Sequence, residues 1–192
     1  LRNDGDEPGR YEISIIEKTM DADGRVLSTE TPYASAKSFI RHSPRRLTLQ
    51  PGEAQTVRVA LRKPRDLAVG EYRSHMRFSS IPLKEKVDKG EPEINTENRT
   101  SLTSKAYLSY TIAVIVRHGE TQAVAAIENA SIIYKENKPF VAFDLVRSGS
   151  RSLYGTFAVS DENGVELGLM KGVGVYLPLE KRKINLPLQL VA

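Results

Sequence analysis

The chain is 192 residues long, has a formal net charge of +4, and contains no cysteine and no tryptophan. That length allows one large domain or two small ones, and 40% hydrophobic residues with sparse aromatics suit two modest cores better than one large core. The absence of cysteine excludes a disulfide framework, a cysteine-based zinc site and a thiol nucleophile, and the small basic surplus is mixed with acids instead of clustered beside aromatics, which argues against nucleic acid.

The chain opens at Leu1, inside what reads as the end of a strand, so a signal peptide, a first strand or both are expected upstream. From Gly9 to Leu27 the segment GRYEISIIEKTMDADGRVL reads as a hairpin. Tyr11, Ile13 and Ile15 alternate with polar residues, and Asp23-Gly24 supplies a tight turn. Asp21-Ala22-Asp23-Gly24 looks like the start of a calcium loop, but the later ligands are missing and Pro32 stands where the closing glutamate belongs. The next segment, SAKSFIRHSP, is short and extended up to Pro44. It is followed by SPRRLTLQPGEAQTVRV, which reads as strand, turn at Pro51-Gly52, and strand. Leu47 and Leu49 share one face of the first strand; Val57, Val59 and Leu61 are expected to point inward from the second. After a turn at Gly70, Tyr72, Ser74, Met76 and Phe78 alternate with Arg73, His75, Arg77 and Ser79. Strands spaced by roughly 10 to 15 residues with turn chemistry between them mark an all-β sandwich.

Residues 84–105 change character: KEKVDKGEPEINTENRTSLTSK is polar, with hardly any apolar residue, and is expected to be a mobile loop. A long strand follows, with Leu108, Tyr110, Ile112, Val114 and Val116 on one side. Its stretch YTIAVIV is the longest apolar run and falls far short of the roughly 20 residues needed to cross a bilayer, so no membrane insertion is expected. Gly119 to Ala123 reads as a hinge. Short strands then resume, with turns at Glu136-Asn137, Ser148-Gly149, Asn163-Gly164 and Pro178. The expectation is two β-sandwich domains, 1–118 and 119–192, the first apparently lacking its first strand.

No catalytic or cofactor pattern emerges. His42, His75 and His118 are scattered, without partners at metal-ligand spacing. Nucleophile-elbow, phosphate-loop and dinucleotide-binding glycine patterns are absent, and GLMKGVGVY sits among strands with no helix after it. The reading is a binding or structural protein, not an enzyme, with no cofactor and no metal. The feature that stands out is the long strand behind the polar loop. A strand at an open edge offers unpaired N–H and C=O groups, and such an edge can lend or accept a strand. The competing reading is an ordinary core strand; both hold if one end packs internally while the end near Ala106 and Leu108 reaches out.

The segments SPRRLTLQPGEAQTVRV and LAVGEYRSHMRFSSIP are similar to the first domain of PapD-like periplasmic pilus chaperones, through Pro44, Leu49, Pro51, Gly52, Gln55, Val57, Arg58, Val59, Gly70, Glu71, Tyr72 and Arg73. LRNDGDEPGRYEISI resembles that family's second strand, and TIAVIVRHG resembles the last strand of its first domain, ending in Arg117. The resemblance is good over residues 1–82 and 106–119 and looser beyond. It implies two immunoglobulin-like sandwiches in a boomerang, a periplasmic location, and donation of a strand (about residues 104–116) to a pilus or fimbrial subunit for delivery to an outer-membrane usher. The donor positions map to Ser104, Ala106 and Leu108, with Tyr110 and Ile112 taking part; Arg117 maps to the cleft between domains. Self-association in the absence of a client is a further expectation. The chain departs from the family at three points: the first strand, which carries one basic anchor for the subunit's carboxylate, is absent; Ala113 stands in place of the second anchor, a lysine; and Ser80 replaces the acid that pairs with the terminal arginine. Carboxylate anchoring and that ion pair are therefore not carried over. The alternative reading is a structural or adhesive β-sandwich component of a surface assembly.

Overall fold

The structure is a computed structural model that describes residues 1–83 and 107–189. The expected mobile loop at 84–105, with Ser104 and also Ala106, lies outside the described residues. Thirteen strands are described: β1 (Gly9–Ile16), β2 (Lys18–Met20), β3 (Val26–Ser28), β4 (Ile40–Ser43), β5 (Arg46–Leu49), β6 (Arg58–Leu61), β7 (Gly70–Ile81), β8 (Ser109–His118), β9 (Ala123–Lys135), β10 (Lys138–Gly149), β11 (Leu153–Ser160), β12 (Glu166–Val175) and β13 (Lys181–Pro187). No helix occurs among the described residues, so the chain is all-β.

The strands form a four-stranded sheet in the order β5-β1-β7-β8, a three-stranded sheet β13-β10-β9, and three two-stranded ladders, β11-β12, β2-β3 and β4-β6. Two compact units emerge. One comprises Leu1–Ile15, Ile40–Arg62 and Met76–Ile112; the other comprises Ile16–Phe39, Lys63–His75 and Ala113–Ala192.

In the first unit the buried apolar residues are Ile13, Ile40, Leu49 and Met76. Tyr11 of β1 pairs with Leu47 of β5, and Gly9 with Leu49. Buried Asn3 ties the entry of the chain to this ladder, donating from Nδ2 to the carbonyls of Glu7 (2.8 Å) and Leu49 (3.1 Å). The Pro51-Gly52 turn forms, with Gly52 at φ 75°. It does not make a hairpin, however: β5 pairs with β1, whereas β6 pairs with β4. The turn reverses the chain and carries it from one ladder to another. Val59 and Leu61 do not point inward; they are 53% and 49% exposed, because β6 belongs to a two-stranded ladder with β4 and nothing described covers that face.

In the second unit, Phe143 and Leu145 of β10, Val173 and Val175 of β12, and Ile184 and Leu186 of β13 form one buried cluster. Leu153, Phe157 and Val159 of β11 pack against it from alternating positions. The β13-β10-β9 and β11-β12 sheets thus share a core, as the period-2 pattern of their sequences requires. The Glu136-Asn137 turn joins β9 to β10 with both residues at positive φ (49° and 61°), the geometry of a two-residue hairpin turn.

The hairpin expected over Gly9–Leu27 is shorter in fact: only β2 and β3 pair, Lys18 to Met20 with Val26 to Ser28, while β1 is occupied by β5. Its turn explains the Asp-x-Asp-Gly sequence. Asp21 Oδ1 accepts the backbone N–H groups of Asp23 (3.0 Å) and Arg25 (2.8 Å), and Gly24 takes φ 82°. Asp161 repeats the arrangement toward Asn163 and Val165, with Gly164 at φ 82°. The first aspartate in each segment is a turn-former whose oxygen closes the loop.

Candidate functional site

The long strand β8 ends its sheet: its partner is β7, and no described strand pairs with its other edge. Its beginning is held by serines. Ser80 N–H donates to the Leu108 carbonyl (2.9 Å), Leu108 N–H donates to Ser80 Oγ (2.9 Å), and Ser109 Oγ donates to Ser79 Oγ (2.8 Å). Ser80, which stands where the resemblance calls for an acid, therefore fixes the start of the strand.

The apolar face of β8 changes from exposed to buried along its length. Leu108, Tyr110 and Ile112 are 63%, 69% and 54% exposed, Val114 is half-buried, and Val116 is buried. Residues two apart on a strand share a face, so this is one continuous stripe. Leaving large apolar side chains in water forgoes roughly 1.5–3 kcal/mol each. An unpaired backbone edge beside such a stripe is a template for another extended chain. The structure brings Leu108, Tyr110 and Ile112 together here; Ser104 and Ala106 lie outside the described residues.

Arg117, at the far end of β8, belongs to a different environment. Its Nε donates to Glu71 Oε2 at 3.0 Å. The arginine side chain is 49% exposed and the carboxylate side chain 1% exposed. The other oxygen of Glu71 accepts the Ser152 backbone N–H (3.2 Å) and the Ser152 hydroxyl. Ser152 Oγ in turn accepts the Leu177 N–H at 3.1 Å. A buried carboxylate with both oxygens engaged is tolerated where an unpaired one is not. Glu71 lies at the opposite end of β7 from Ser80, so Arg117 has an acidic partner at a position the resemblance did not assign. The signal was present in the sequence: Glu71 is the one acid on the β7 face that it shares with Arg73, His75, Arg77, Ser79 and Ile81.

Arg73 is buried, donates from Nη2 to the Lys18 carbonyl (3.1 Å), and lies over the Tyr176 ring, 4.3 Å from its centroid. Burial lowers the pKa of its guanidinium, partly offset by Tyr176, Glu71 and Glu17. His75 is buried as well. Burial first, then the charges of Arg73 and Lys18, lower its pKa from 6.5 to about 4, so it is neutral at pH 7. His42 Nε2 lies 3.1 Å from the Ile13 carbonyl, and His118 Nδ1 is 3.2 Å from Lys63 Nζ. No group of three or more metal-ligating His, Cys, Asp or Glu side chains occurs among the described residues.

No protein-family model matches the chain, and no curated protein matches it in sequence. Solved structures do. The chain is similar to the Escherichia coli chaperone DraB, with a TM-score of 0.51 and 14% identity over 98% of this chain and 74% of that one. It also aligns with a structure described as a chaperone–tip adhesin complex of CFA/I fimbriae biogenesis (TM-score 0.48, 11% identity, 96% of this chain and 74% of that one). A third is the class 5 fimbriae chaperone CfaA (TM-score 0.49, 14% identity, 94% and 74%). The likeness to DraB establishes a shared all-β fold.

Proposed function

We propose that this chain is a fimbrial or pilus assembly chaperone that holds subunits through the β8 edge. The observation that carries the reading is the exposed stripe of Leu108, just before β8, with Tyr110 and Ile112 on β8, a strand whose outer edge has no described partner. The fold shared with DraB supports it. In this reading the segment around residues 104–116 lends a strand to a subunit; main-chain hydrogen bonds supply affinity, and alternating apolar side chains supply register. The end of the strand at Val116 stays in this chain's own core and anchors the donor. Delivery to an outer-membrane usher, a periplasmic location, the absence of enzymatic activity and domains divided near residue 119 belong to the same proposal. The separate core closed by residues between Val141 and Leu188 supports that division. Self-association without a client follows from the same exposed edge.

The test is periplasmic co-expression of the chain with the fimbrial subunits of its own organism. A subunit should co-purify in one-to-one ratio and aggregate or be degraded when the chain is omitted. Subunits that accumulate equally well without it would overturn the reading. A permanent assembly recovered from the cell surface would favour a structural or adhesive component instead.

A further inference from the structure

Burial does little to pin the exposed half of β8 to β7, because Leu108, Tyr110 and Ile112 lie mostly in water. Hydrogen bonds from three serines do it instead. Ser80 stands opposite Leu108: its N–H donates to the Leu108 carbonyl and its Oγ accepts the Leu108 N–H, both at 2.9 Å. Ser79 stands opposite Ser109, hydroxyl to hydroxyl at 2.8 Å. Glu71 and Arg117, each eight residues away from Ser79 and Ser109, keep the same register. Residues along an antiparallel pair alternate between those that exchange backbone hydrogen bonds and those whose side chains approach most closely. Ser80–Leu108 is a pair of the first kind, and Ser79–Ser109 is one of the second. The alternation then assigns the backbone groups of β8. The N–H and C=O of Leu108, Tyr110 and Ile112 point at β7; those of Ser109, Thr111 and Ala113 point to the outer edge, which has no described partner.

The ladder ends in a particular way at Leu108. A continuing antiparallel ladder would use the Ser80 carbonyl as acceptor for the Leu108 N–H. Here the Ser80 hydroxyl takes that N–H, its own proton reaches back to the Leu108 carbonyl (3.3 Å), and the regular strand starts one residue later, at Ser109. We propose that Ser80 is a positioning residue for partner binding: its hydroxyl clamps the Leu108 amide and holds β8 in the register that turns the N–H and C=O of Ser109, Thr111 and Ala113 toward an incoming strand. This role rests on the β8-edge reading of function, and it names the backbone groups that a subunit strand takes up. A slip of one residue would exchange the two sets of backbone groups and turn the apolar stripe to the opposite face. A slip of two would keep the face and move the stripe about 7 Å along β7.

The test compares two isosteric variants of the whole chain: Ser80→Thr, which keeps a hydroxyl, and Ser80→Val, which does not. In the free chain the Leu108 amide should exchange slowly in the native protein and in Ser80→Thr, and about tenfold faster in Ser80→Val. In the complex of the native chain with a co-expressed fimbrial subunit, the amides of Ser109, Thr111 and Ala113 should gain protection, whereas those of Tyr110 and Ile112, already directed at β7, should not change. The subunit should leave Ser80→Val about fivefold faster than the native chain and leave Ser80→Thr at the native rate. Equal Leu108 exchange in Ser80→Thr and Ser80→Val, equal dissociation rates from the two, or new protection at Tyr110 and Ile112 in place of Ser109 and Thr111 would each overturn the proposal. A native chain that captures no subunit would refute the β8-edge reading and the positioning role with it, while exchange in the free chain would still decide whether the Ser80 clamp exists.

Discussion

Two buried ionisable side chains on β7 make opposite demands on the chain. Glu71 is charged, with Arg117 and Ser152 around it, and the two ends of its ion pair differ in access to water: 49% exposure for the arginine side chain, 1% for the carboxylate. Removing Arg117 leaves a negative charge that water cannot reach; removing the charge on Glu71 leaves an arginine that water can solvate. Arg117→Gln should therefore cost about 3 kcal/mol and Glu71→Gln about 1–2 kcal/mol, measured by urea unfolding. The double variant should be no worse than Arg117→Gln alone, and equal costs for the two single changes would contradict this asymmetry. His75 is buried neutral, with its pKa lowered to about 4. The unfolded chain binds a proton near pH 6.5 and the folded chain does not, so stability is fully present above that pH and is lost as pH falls toward 4. The loss over that window is roughly 3 kcal/mol. Urea midpoints between pH 7 and pH 4 should fall more steeply for the native chain than for His75→Gln; parallel curves would show that His75 does not titrate in this window.

At the scale of elements, β8 divides into an outward half and an anchored half. Threonine at Leu108, Tyr110 and Ile112 should change stability by less than about 0.5 kcal/mol, because these side chains are already in water, yet should abolish subunit co-purification. Val116→Ala, at a buried position, should cost roughly 2 kcal/mol. The alternation that defines this strand was legible in the sequence, since side-chain direction on a strand follows from period alone. Which strands pair was less legible. Pro51-Gly52 and Asp23-Gly24 specify that the chain turns, not which ladder it joins, and β5 and β6 accordingly have different partners. The exposure of Val59 and Leu61 has the same cause: an apolar alternation names a face but not what covers it. Glu71 enters the resemblance only as one residue of a run from Gly70 to Arg73; its role depends on Ser152, 81 residues away, a proximity that no local pattern encodes.

Across the whole molecule, the residues that form the buried core are different from those proposed to bind a partner. The core shared by β10, β12 and β13 contains Leu145 and Leu186, both essentially inaccessible to water. Leu145→Ala and Leu186→Ala should each cost 2–5 kcal/mol in urea unfolding, in keeping with cavity formation in a packed interior. An effect below about 1 kcal/mol would mean that this core is loosely packed. The all-β class was readable from turn spacing and the absence of any helical period. The central claim is that β8 pairs its free edge with a subunit, and amide hydrogen exchange on the co-purified complex tests it directly. The account predicts that those backbone amides between Leu108 and Ile112 that face the outer edge, away from β7, exchange rapidly in the free chain and become protected in the complex, while amides around Val116 remain as they were. Protection confined to other strands, with Leu108–Ile112 unchanged, would contradict it.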